Sequence, residues 1–459
     1  MRTDRSGTRK FSPVRRAGLF AADREFLMVP ANIFVMGLDD LNKETLERVP
    51  GADRYRFRPL LTIEELQFGD IDIAGLLAKA EKQLDDFDGP VDAIVGYWDF
   101  PVSSLVPILC EKYGLRSTSL ESIIKCEHKY WSRLEQRKVI SEIPGFGIVD
   151  LEGEAAVPEG LRYPLWLKPV KSFSSDLAFG VDDEKEFQEA VAEIREGISR
   201  IGEPFETVLS HLDIPAEISE VGGQACLAEE ALTGAQVAVE GYVYDGEVTV
   251  YGALDSLTYP DSACFLRHQY PSSLPDGVVQ RLKDISVRVI QQIGLNSVTF
   301  SIEYFYNAET DEIGLLEINP RHSQSHAEMF EYVDGVSNHH CMLRLALGDA
   351  PHMPDEKGPY EVAAKWYYRR FEDGVARRVP DADEIKRIEA EIPGVTIDVV
   401  PEQGQRLSDM PGQDSYSFEL AHLFIGAASE VDLCAKYERC VEMMNFEIDG
   451  GTTEGDESR

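Results

Sequence analysis

Residues 313–321 read Ile-Gly-Leu-Leu-Glu-Ile-Asn-Pro-Arg, and a second β-like stretch, 297–305, precedes them. The polar segment 307–312 between the two predicts a β-hairpin. With the turn centred near Thr310, antiparallel pairing places Glu303 opposite Glu317. Side chains alternate along a strand, so Asn319 lies on the same face as Glu317. Three oxygen-bearing side chains are therefore predicted to converge.

The residues between these polar ones, Leu316 and Ile318, are expected to point the other way, into a core. Two carboxylates directly across a ladder repel each other, which favours a cation between them. Mg²⁺ takes oxygen ligands and completes its shell with water and nucleotide phosphates. We therefore predict that Glu303, Glu317 and Asn319 bind Mg²⁺, with Mn²⁺ as a substitute, and that ATP is the cofactor. Exposed glutamates among the 82 acidic residues are the alternative.

Composition excludes several classes of protein. A chain of 459 residues with 43% hydrophobic content is long enough for two or three domains. A net charge of −37 argues against nucleic-acid binding, which depends on lysine and arginine. The sequence contains no apolar stretch long enough to span a bilayer. Its seven scattered cysteines lack a CxxC pair, which predicts a cytoplasmic protein without disulfides or structural zinc.

The pattern along the chain predicts an α/β (α+β) fold. Strands at 31–36 and 91–96 alternate with helices at 71–87 and 102–113, without a GxGxxG or P-loop motif. A polar helical stretch at 119–139 suggests a domain boundary near residue 120, and 348–358 is predicted to be a linker. Residues 1–28 are expected to be a basic disordered extension, with a transit peptide or a true start at Met28 as alternatives, and 449–459 an acidic tail.

Five motifs in order resemble the ATP-grasp superfamily. They are HKYWSR (128–133), PLWLKPV (164–170), KSFSSDLAFG (171–180), EEAL (229–232) and EINPR (317–321). The resemblance is closest to carboxylate-amine ligases. It implies a pre-ATP-grasp domain at 29–120, an ATP-grasp domain at 121–350 and a C-terminal α/β domain at 359–448.

This resemblance implies the nucleotide contacts. Lys129 would hold the α- or β-phosphate, with Lys125 as the rival. Lys168 stands in an otherwise apolar strand, where a lysine must be paired, snorkel or face a cleft. The segment 171–180 matches a phosphate lid. Its expected contacts are Ser172, Ser174 and Ser175.

The EEAL segment matches the hinge that binds adenine. Glu229, Glu230 and the backbone of Ala231 and Leu232 would contact the base. Gln236 stands where the family usually has an acidic residue for the ribose hydroxyls, and an amide can replace it. Arg321 would stabilise the transferred phosphoryl group together with Lys168.

The resemblance also places an acceptor pocket near the metal strand. Glu240 is expected to face the cleft, with an exposed strand position as the alternative. Arg267 and His268 could hold a substrate carboxylate, and His322 and Ser323 would help to define the pocket. Zinc at His322 and His326 is the less favoured alternative, since no third ligand is near in sequence.

The resemblance implies an ATP-dependent ligase that joins a small-molecule carboxylate to an amine through an acylphosphate and releases ADP and phosphate. Its partners would be small molecules rather than nucleic acids or membranes, and the protein could form a homodimer. Two alternatives remain: a biotin-carboxylase-like subunit that activates bicarbonate, and an ATP-binding regulatory protein without catalysis.

Overall fold

The computed structural model of the chain describes residues 30–449 except 68, 173–176, 261, 263, 354–357, 412 and 414–416. The predicted extension at 1–28 and nearly all of the predicted acidic tail lie outside these residues. Within them, no helix is both long and apolar enough to cross a membrane. Helices and strands mix throughout, so the predicted α/β class is confirmed.

The N-terminal unit is a parallel three-stranded sheet flanked by helices. Its central strand is an apolar run buried on both faces, as parallel strands are, and it matches the predicted bounds 31–36. The helix predicted at 102–113 also has those bounds, and it ends at Gly114, whose φ of 66° suits a residue without a side chain. The elements are β1 (Ala31–Met36), α1 (Asp40–Glu47), β2 (Tyr55–Leu60), α2 (Ile63–Gln67), α3 (Ile73–Asp85), β3 (Ala93–Val95) and α4 (Val102–Tyr113).

The polar helical stretch at 119–139 is two helices, α5 (Leu120–Glu127) and α6 (Lys129–Gln136). The break is at His128, whose backbone is extended and whose Nδ1 accepts the Trp131 N–H at 3.3 Å. A histidine thus caps α6 in the manner of an N-cap residue. The cap turns α6 so that Lys129 begins its first turn.

A four-stranded antiparallel sheet follows, in the order β4-β7-β5-β6. Asp183 caps the helix after β6 by accepting the Glu186 N–H at 3.0 Å. The Glu186 carboxylate in turn accepts the backbone N–H of Asp182 at 2.8 Å. The elements are β4 (Phe146–Val149), β5 (Leu165–Pro169), β6 (Phe179–Val181), α7 (Glu184–Gly197), α8 (Ser199–Leu209), α9 (Ala216–Val221) and β7 (Cys226–Glu230).

The largest sheet of the described residues has eight antiparallel strands in the order β12-β11-β8-β9-β10-β13-β16-β15. Its elements before the predicted linker are β8 (Ala235–Tyr244), β9 (Glu247–Thr258), β10 (Phe265–Tyr270), α10 (Asp276–Ile293), β11 (Val298–Asn307), β12 (Glu312–Asn319), α11 (Ala327–Asp334) and α12 (His339–Ala346). Those after it are β13 (Val362–Arg370), β14 (Ala376–Arg378), α13 (Ala382–Glu391), β15 (Val395–Val399), β16 (Phe418–Ala427), α14 (Glu430–Met443) and β17 (Glu447–Ile448).

Strands β13, β16 and β15 belong to the predicted C-terminal domain, yet they extend the sheet that carries the hairpin. The segment has its own apolar cluster around Leu423 and Leu433. Helix α10 packs on one face of the other end of the sheet, where Leu282 and Val289 meet Phe300. The opposite face of that end is left for a cavity.

Candidate active site

A cavity of about 960 Å³ lies between the four-stranded sheet and strands β8, β9, β11 and β12 of the large sheet. It brings together residues that are far apart in sequence. The predicted site residues that line it are Lys129, Lys168, Ser172, Glu229, Glu230, Leu232, Gln236, Glu303, Glu317, Asn319, Arg321 and Ser323. Ser174 and Ser175 lie outside the described residues.

The hairpin forms as predicted, with Glu303 paired to Glu317 across β11 and β12. The register shifts directly beyond this pair, where Tyr304 pairs with Leu315. The extra residue of this β-bulge is Leu316, which lines the cavity. Its predicted position in the core is therefore wrong, because a bulge turns two neighbouring residues to one side. Leu315 takes the core position and is fully buried.

The two facing glutamates have different electrostatic environments. Burial and then the charge of Glu317 raise the pKa of Glu303 to about 7. Gln236 donates to one oxygen of Glu303 at 2.9 Å and Asn319 to the other at 3.3 Å. Burial by itself would raise the pKa of Glu317, but the ammonium of Lys129 outweighs it and lowers this pKa. The pair therefore disfavours full ionisation unless a further cation is present.

This donor set fits a hard divalent cation. Glu303 and Glu317 offer carboxylate oxygens and Asn319 an amide oxygen, the ligands that Mg²⁺ takes when nucleotide phosphates fill its other positions. The raised pKa of Glu303 shows that ionising this carboxyl is unfavourable in the metal-free site. A bound cation would offset that unfavourable free energy. No group of three His, Cys, Asp or Glu side chains suited to a metal occurs in the described part of the chain.

Lys129 is the lysine that reaches β12, the strand that carries Glu317 and Asn319. Its ammonium lies 2.9 Å from a Glu317 oxygen and donates to the Ser172 carbonyl at 3.0 Å. The rival, Lys125, instead pairs with Glu121 at 2.6 Å along its own helix. Of the two, the geometry leaves Lys129 as the candidate for a phosphate contact.

Lys168 and Glu229 form a buried ion network with Arg133. The Glu229 oxygens lie 2.5 Å from Lys168 and 2.5 Å from Arg133. Burial would raise the pKa of Glu229, but the two cations hold it at about 2. Arg133 also donates to the backbone carbonyls of Leu315 and Leu316, so the network connects α6, β7 and the hairpin.

The predicted contact of Glu229 with adenine is therefore wrong, because both carboxylate oxygens are already bound to cations. Its position orients Lys168 instead. In the hinge, the Ala231 N–H donates to the Pro164 carbonyl at 3.0 Å. Leu232 lines the cavity. Gln236 also lines it, but its amide nitrogen serves Glu303, so a ribose contact would have to use the amide oxygen.

The start of the predicted lid reaches the cavity through Ser172 and Lys171. Lys171 was not among the predicted nucleotide contacts. Its ammonium is buried 3.2 Å from Glu127 and faces the rings of Phe100 and Phe205. Its place three residues after Lys168, beyond a proline that ends the strand, was the available signal.

Arg321 lies in the cavity and is held by Asp99 of the N-terminal unit. Its Nη2 donates to both Asp99 oxygens at 2.6 Å, and its Nε donates to one of them at 2.9 Å. Such a forked contact fixes the plane of the guanidinium. No sequence pattern points to Asp99, which is a loop residue between β3 and α4.

Glu240 does not face the cleft as expected. It is fully buried and accepts hydrogen bonds from Tyr251, from the Ser323 N–H and from Asn338. The ring of His326 completes the set, with Nδ1 2.7 Å from Glu240. The strand alternation was correct, but a cluster of donors behind the 322–326 loop occupies this side of the sheet. Glu240 thus shapes the cavity wall from behind.

His322 is also absent from the cavity, because it is fully buried between Thr299 and His339. The rings of His322 and His326 bond to different partners, so the geometry does not support zinc there. Ser323, Gln324 and Ser325 line the cavity instead.

The two β10 residues predicted to bind a substrate carboxylate, Arg267 and His268, also do not line the cavity. Arg267 points towards the C-terminal segment, where it pairs with Glu430 at 2.5 Å and lies over the ring of Trp366. His268 is buried, and its Nδ1 lies 3.0 Å from the Ser256 hydroxyl. Neither residue lines the cavity, so this prediction is wrong.

The chain is similar to known proteins in one domain family and in fold. The sequence model of the ATP-grasp domain matches residues 161–327. The structure of L-amino acid ligase from Bacillus licheniformis shares 14% identity, with 92% of this chain and 100% of that chain covered, at a TM-score of 0.69. No curated protein matches in sequence.

Two further structures have the same fold. Phosphoribosylglycinamide synthetase from Anaerococcus prevotii shares 15% identity, with 92% of this chain and 100% of that chain covered, at a TM-score of 0.62. Biotin carboxylase from Campylobacter jejuni shares 14% identity, with 92% and 93% covered, at a TM-score of 0.60. The resemblance to the ATP-grasp superfamily is thus confirmed.

Proposed function

We propose, from the premise of an ATP-grasp domain at 161–327, that the protein is an ATP-dependent ligase that joins a small-molecule carboxylate to an amine. One observation carries the proposal: Glu303, Glu317 and Asn319 line the same cavity as Lys129, Lys168 and Arg321. Acidic metal ligands beside several cations suit a nucleotide triphosphate and its metal ion.

The chemistry needs no protein nucleophile. An oxygen of the substrate carboxylate attacks the γ-phosphorus of ATP, the bond between that phosphorus and the β–γ bridging oxygen breaks, and ADP leaves. The amine nitrogen then attacks the acyl carbon of the acylphosphate. Phosphate leaves with the C–O bonding electrons, and the nitrogen loses a proton. Both steps depend on positioning and on neutralising charge.

The residues of the chain have separate tasks in this scheme. Mg²⁺, held by Glu303, Glu317 and Asn319, would supply charge neutralisation on the phosphates. Lys129 and Lys168 would bind phosphate oxygens, and Arg321 would contact the transferred phosphoryl group in the plane that Asp99 sets. The lid at 171–180 would exclude water, which otherwise hydrolyses an acylphosphate.

The nucleotide base would lie at the other end of the cavity. There the carbonyl of Ala231 and the N–H of Leu232 would contact the adenine edge, and Trp166 and Phe305 provide apolar wall. We place this reaction in the cytoplasm, where MgATP is available, and a homodimer remains the proposed assembly.

The test measures ADP release by the full-length protein with MgATP and pooled carboxylic acids and amines. We expect release to depend on an acid and an amine, with a product whose mass is their sum less one water. Release that ignores every acid would contradict the proposal. Arg321→Ala should remove turnover, whereas Arg288→Ala, on the outer surface of α10, should not.

A second candidate function is a biotin-carboxylase-like activation of bicarbonate, which the similarity to a biotin carboxylase structure favours. A parallel assay with bicarbonate distinguishes it from the ligase. ADP release with bicarbonate and free biotin, but without any acid of the pool, would assign the protein to that reaction. Nucleotide binding without release in any arm would indicate a regulatory protein.

A further inference from the structure

The cations that line the cavity each have a carboxylate partner. The shortest nitrogen-to-oxygen distances are 2.9 Å for Lys129 and Glu317, 2.5 Å for Lys168 and Glu229, 3.2 Å for Lys171 and Glu127, and 2.6 Å for Arg321 and Asp99. A pre-paired cation binds a ligand only by sharing or exchanging its partner. A buried cation without such a partner, in contact with a residue of the cavity wall, would therefore be a distinct kind of site.

Lys365 on β13 is such a cation. It is 7% exposed, and its ammonium lies 3.4 Å from the hydroxyl of Ser325, which lines the cavity. Its other close neighbours are the rings of Tyr367 at 4.9 Å and Phe424 at 5.4 Å. Among the described residues, none forms an ion pair with it.

The acidic groups nearest to Lys365 are engaged elsewhere. Glu419 is bound by Arg369 at 2.6 Å and by His422 at 2.7 Å. Glu328 accepts a hydrogen bond from Thr45 at 3.1 Å. Neither forms an ion pair with Lys365 among the described residues, although both contribute to its electrostatic surroundings.

A buried ammonium with one long hydrogen bond is costly, and cation–π contacts offset only part of that cost. An anion beside Ser325 would remove it. Ser325 contacts Lys365 and also lines the cavity, so a ligand that reaches Ser325 lies next to this ammonium.

We propose that Lys365 and Ser325 form an anion-binding subsite for a carboxylate that does not react. This carboxylate belongs to the acid substrate, as a second acidic group, or to the amine substrate. The identity of the ligand rests on the proposed ligase function, whereas the binding of an anion at this position does not.

The subsite is separate from the triphosphate region. Four strand spacings separate β13 from β11, through β10, β9 and β8. Measured along the sheet at about 4.8 Å for each spacing, β13 lies roughly 19 Å from β11. The subsite thus selects the far end of a substrate whose reacting group lies near Arg321.

The test uses matched pairs that differ by one carboxylate: succinate against butyrate, and 4-aminobutyrate against butylamine. Calorimetry on the full-length protein with MgADP measures binding directly, and ADP release from MgATP measures turnover. We expect the carboxylate-bearing member of one pair to bind at least tenfold more tightly, which identifies the substrate that carries the anion. Equal binding within both pairs overturns the subsite.

Variants attribute that preference to Lys365. Lys365→Met should abolish the preference, and Lys365→Arg should retain most of it. Lys436→Met is the matched control, because Lys436 also lies over an aromatic ring, that of Tyr360 at 5.2 Å, but has a carboxylate partner, Asp432 at 3.7 Å. An unchanged preference in Lys365→Met contradicts the proposal.

The outcomes also separate the two proposals. Lys365-dependent succinate binding without ADP release would keep the subsite and contradict the ligase. Acid-dependent ADP release without a preference within either pair would keep the ligase and contradict the subsite. Should Lys365→Met fail to fold, the comparison of pairs on the unaltered protein decides the question.

Discussion

The Asp99 carboxylate accepts three hydrogen bonds from the guanidinium of Arg321, although 222 positions separate the two residues in the sequence. Asp99 lies in the loop between β3 and α4, and Arg321 directly follows the hairpin strand β12. The N-terminal unit thereby contributes to the cavity without supplying a metal ligand. It orients the arginine that the proposed reaction requires.

Asp99→Asn should lower the maximal rate of ADP release by about tenfold to a hundredfold, because an amide cannot hold the guanidinium as a carboxylate fork does. The affinity for MgADP should change little, so kcat falls more than KM rises. Steady-state kinetics and calorimetry measure the two effects. Asp398→Asn, on the exposed side of β15, is the control. An unchanged kcat would show that Arg321 needs no such anchor.

Glu303→Gln should stabilise the metal-free protein at pH 8. The pKa of Glu303 is raised to about 7 in the folded state, so the folded protein holds more protons than the unfolded chain above the ordinary value of 4.5. Stability is therefore lost as the pH rises from 4.5 through 7. The gain from the substitution should be at most about 3 kcal/mol at pH 8, since one pKa unit corresponds to about 1.4 kcal/mol.

Denaturant unfolding in EDTA, at pH 5 and pH 8, measures this gain. It should shrink towards zero at pH 5, where both forms of the protein are neutral at this position. If Glu303→Gln proves less stable than the unaltered protein at pH 8, the repulsion between Glu303 and Glu317 is not the dominant effect.

Magnesium should reverse that order. A cation between the glutamates favours the ionised form of Glu303, so Mg²⁺ with ADP should raise the melting temperature of the unaltered protein more than that of Glu303→Gln. Binding should release protons near pH 6.5, where Glu303 is still largely protonated. Calorimetry in buffers of different ionisation enthalpy counts these protons. Absence of proton release would place the metal elsewhere.

Glu229→Gln should destabilise the protein by about 3–5 kcal/mol, because it leaves Arg133 and Lys168 buried without their counterion. The pKa of Glu229 is lowered to about 2, so its contribution is present above pH 4.5 and is lost as the pH falls towards 2. Chemical unfolding at pH 7 measures the loss. Glu47→Gln removes an exposed pair with Lys43 and should cost far less, because solvent screens exposed charges. Equal costs would contradict the role of burial.

His322 and His339 should both be neutral at pH 6. Burial holds the pKa of His339 at about 3 and that of His322 well below its ordinary value. Asn42 donates its amide proton to Asp39, so its oxygen accepts from His339 Nε2 at 3.0 Å. That leaves His339 Nδ1 to accept from His322 Nε2 at 2.9 Å. The direction of the Asn42 bond therefore fixes which ring nitrogen carries the proton in both histidines.

Nitrogen-15 shifts of labelled histidine check this order, with both Nε2 atoms protonated and both Nδ1 atoms bare. The signal of the exposed His211 imidazole is the internal reference. An imidazolium signal from either buried ring at pH 6 would contradict the assigned order.

Local patterns in the sequence were enough for the hairpin, the Glu303 and Glu317 pair, the bounds of β1 and α4, and the ATP-grasp resemblance. These features depend on strand alternation, apolar runs and motif order, which neighbouring residues encode. The pairing of Glu303 with Glu317 nevertheless depends on the bulge at Leu316. Between Tyr304 and the turn the two strands pair in a register shifted by one residue, and the bulge brings the two glutamates opposite each other.

The partners of the polar side chains required the tertiary structure. Asp99 and Lys365 carry no local signal, and Glu240, Arg267, His268 and His322 resemble site residues in sequence but do not line the cavity. A buried charge takes its role from whichever opposite charge or hydrogen-bond donor the fold brings near. Such contacts join strands and loops that are distant along the chain, so the three-dimensional packing decides which polar residues remain available to a ligand.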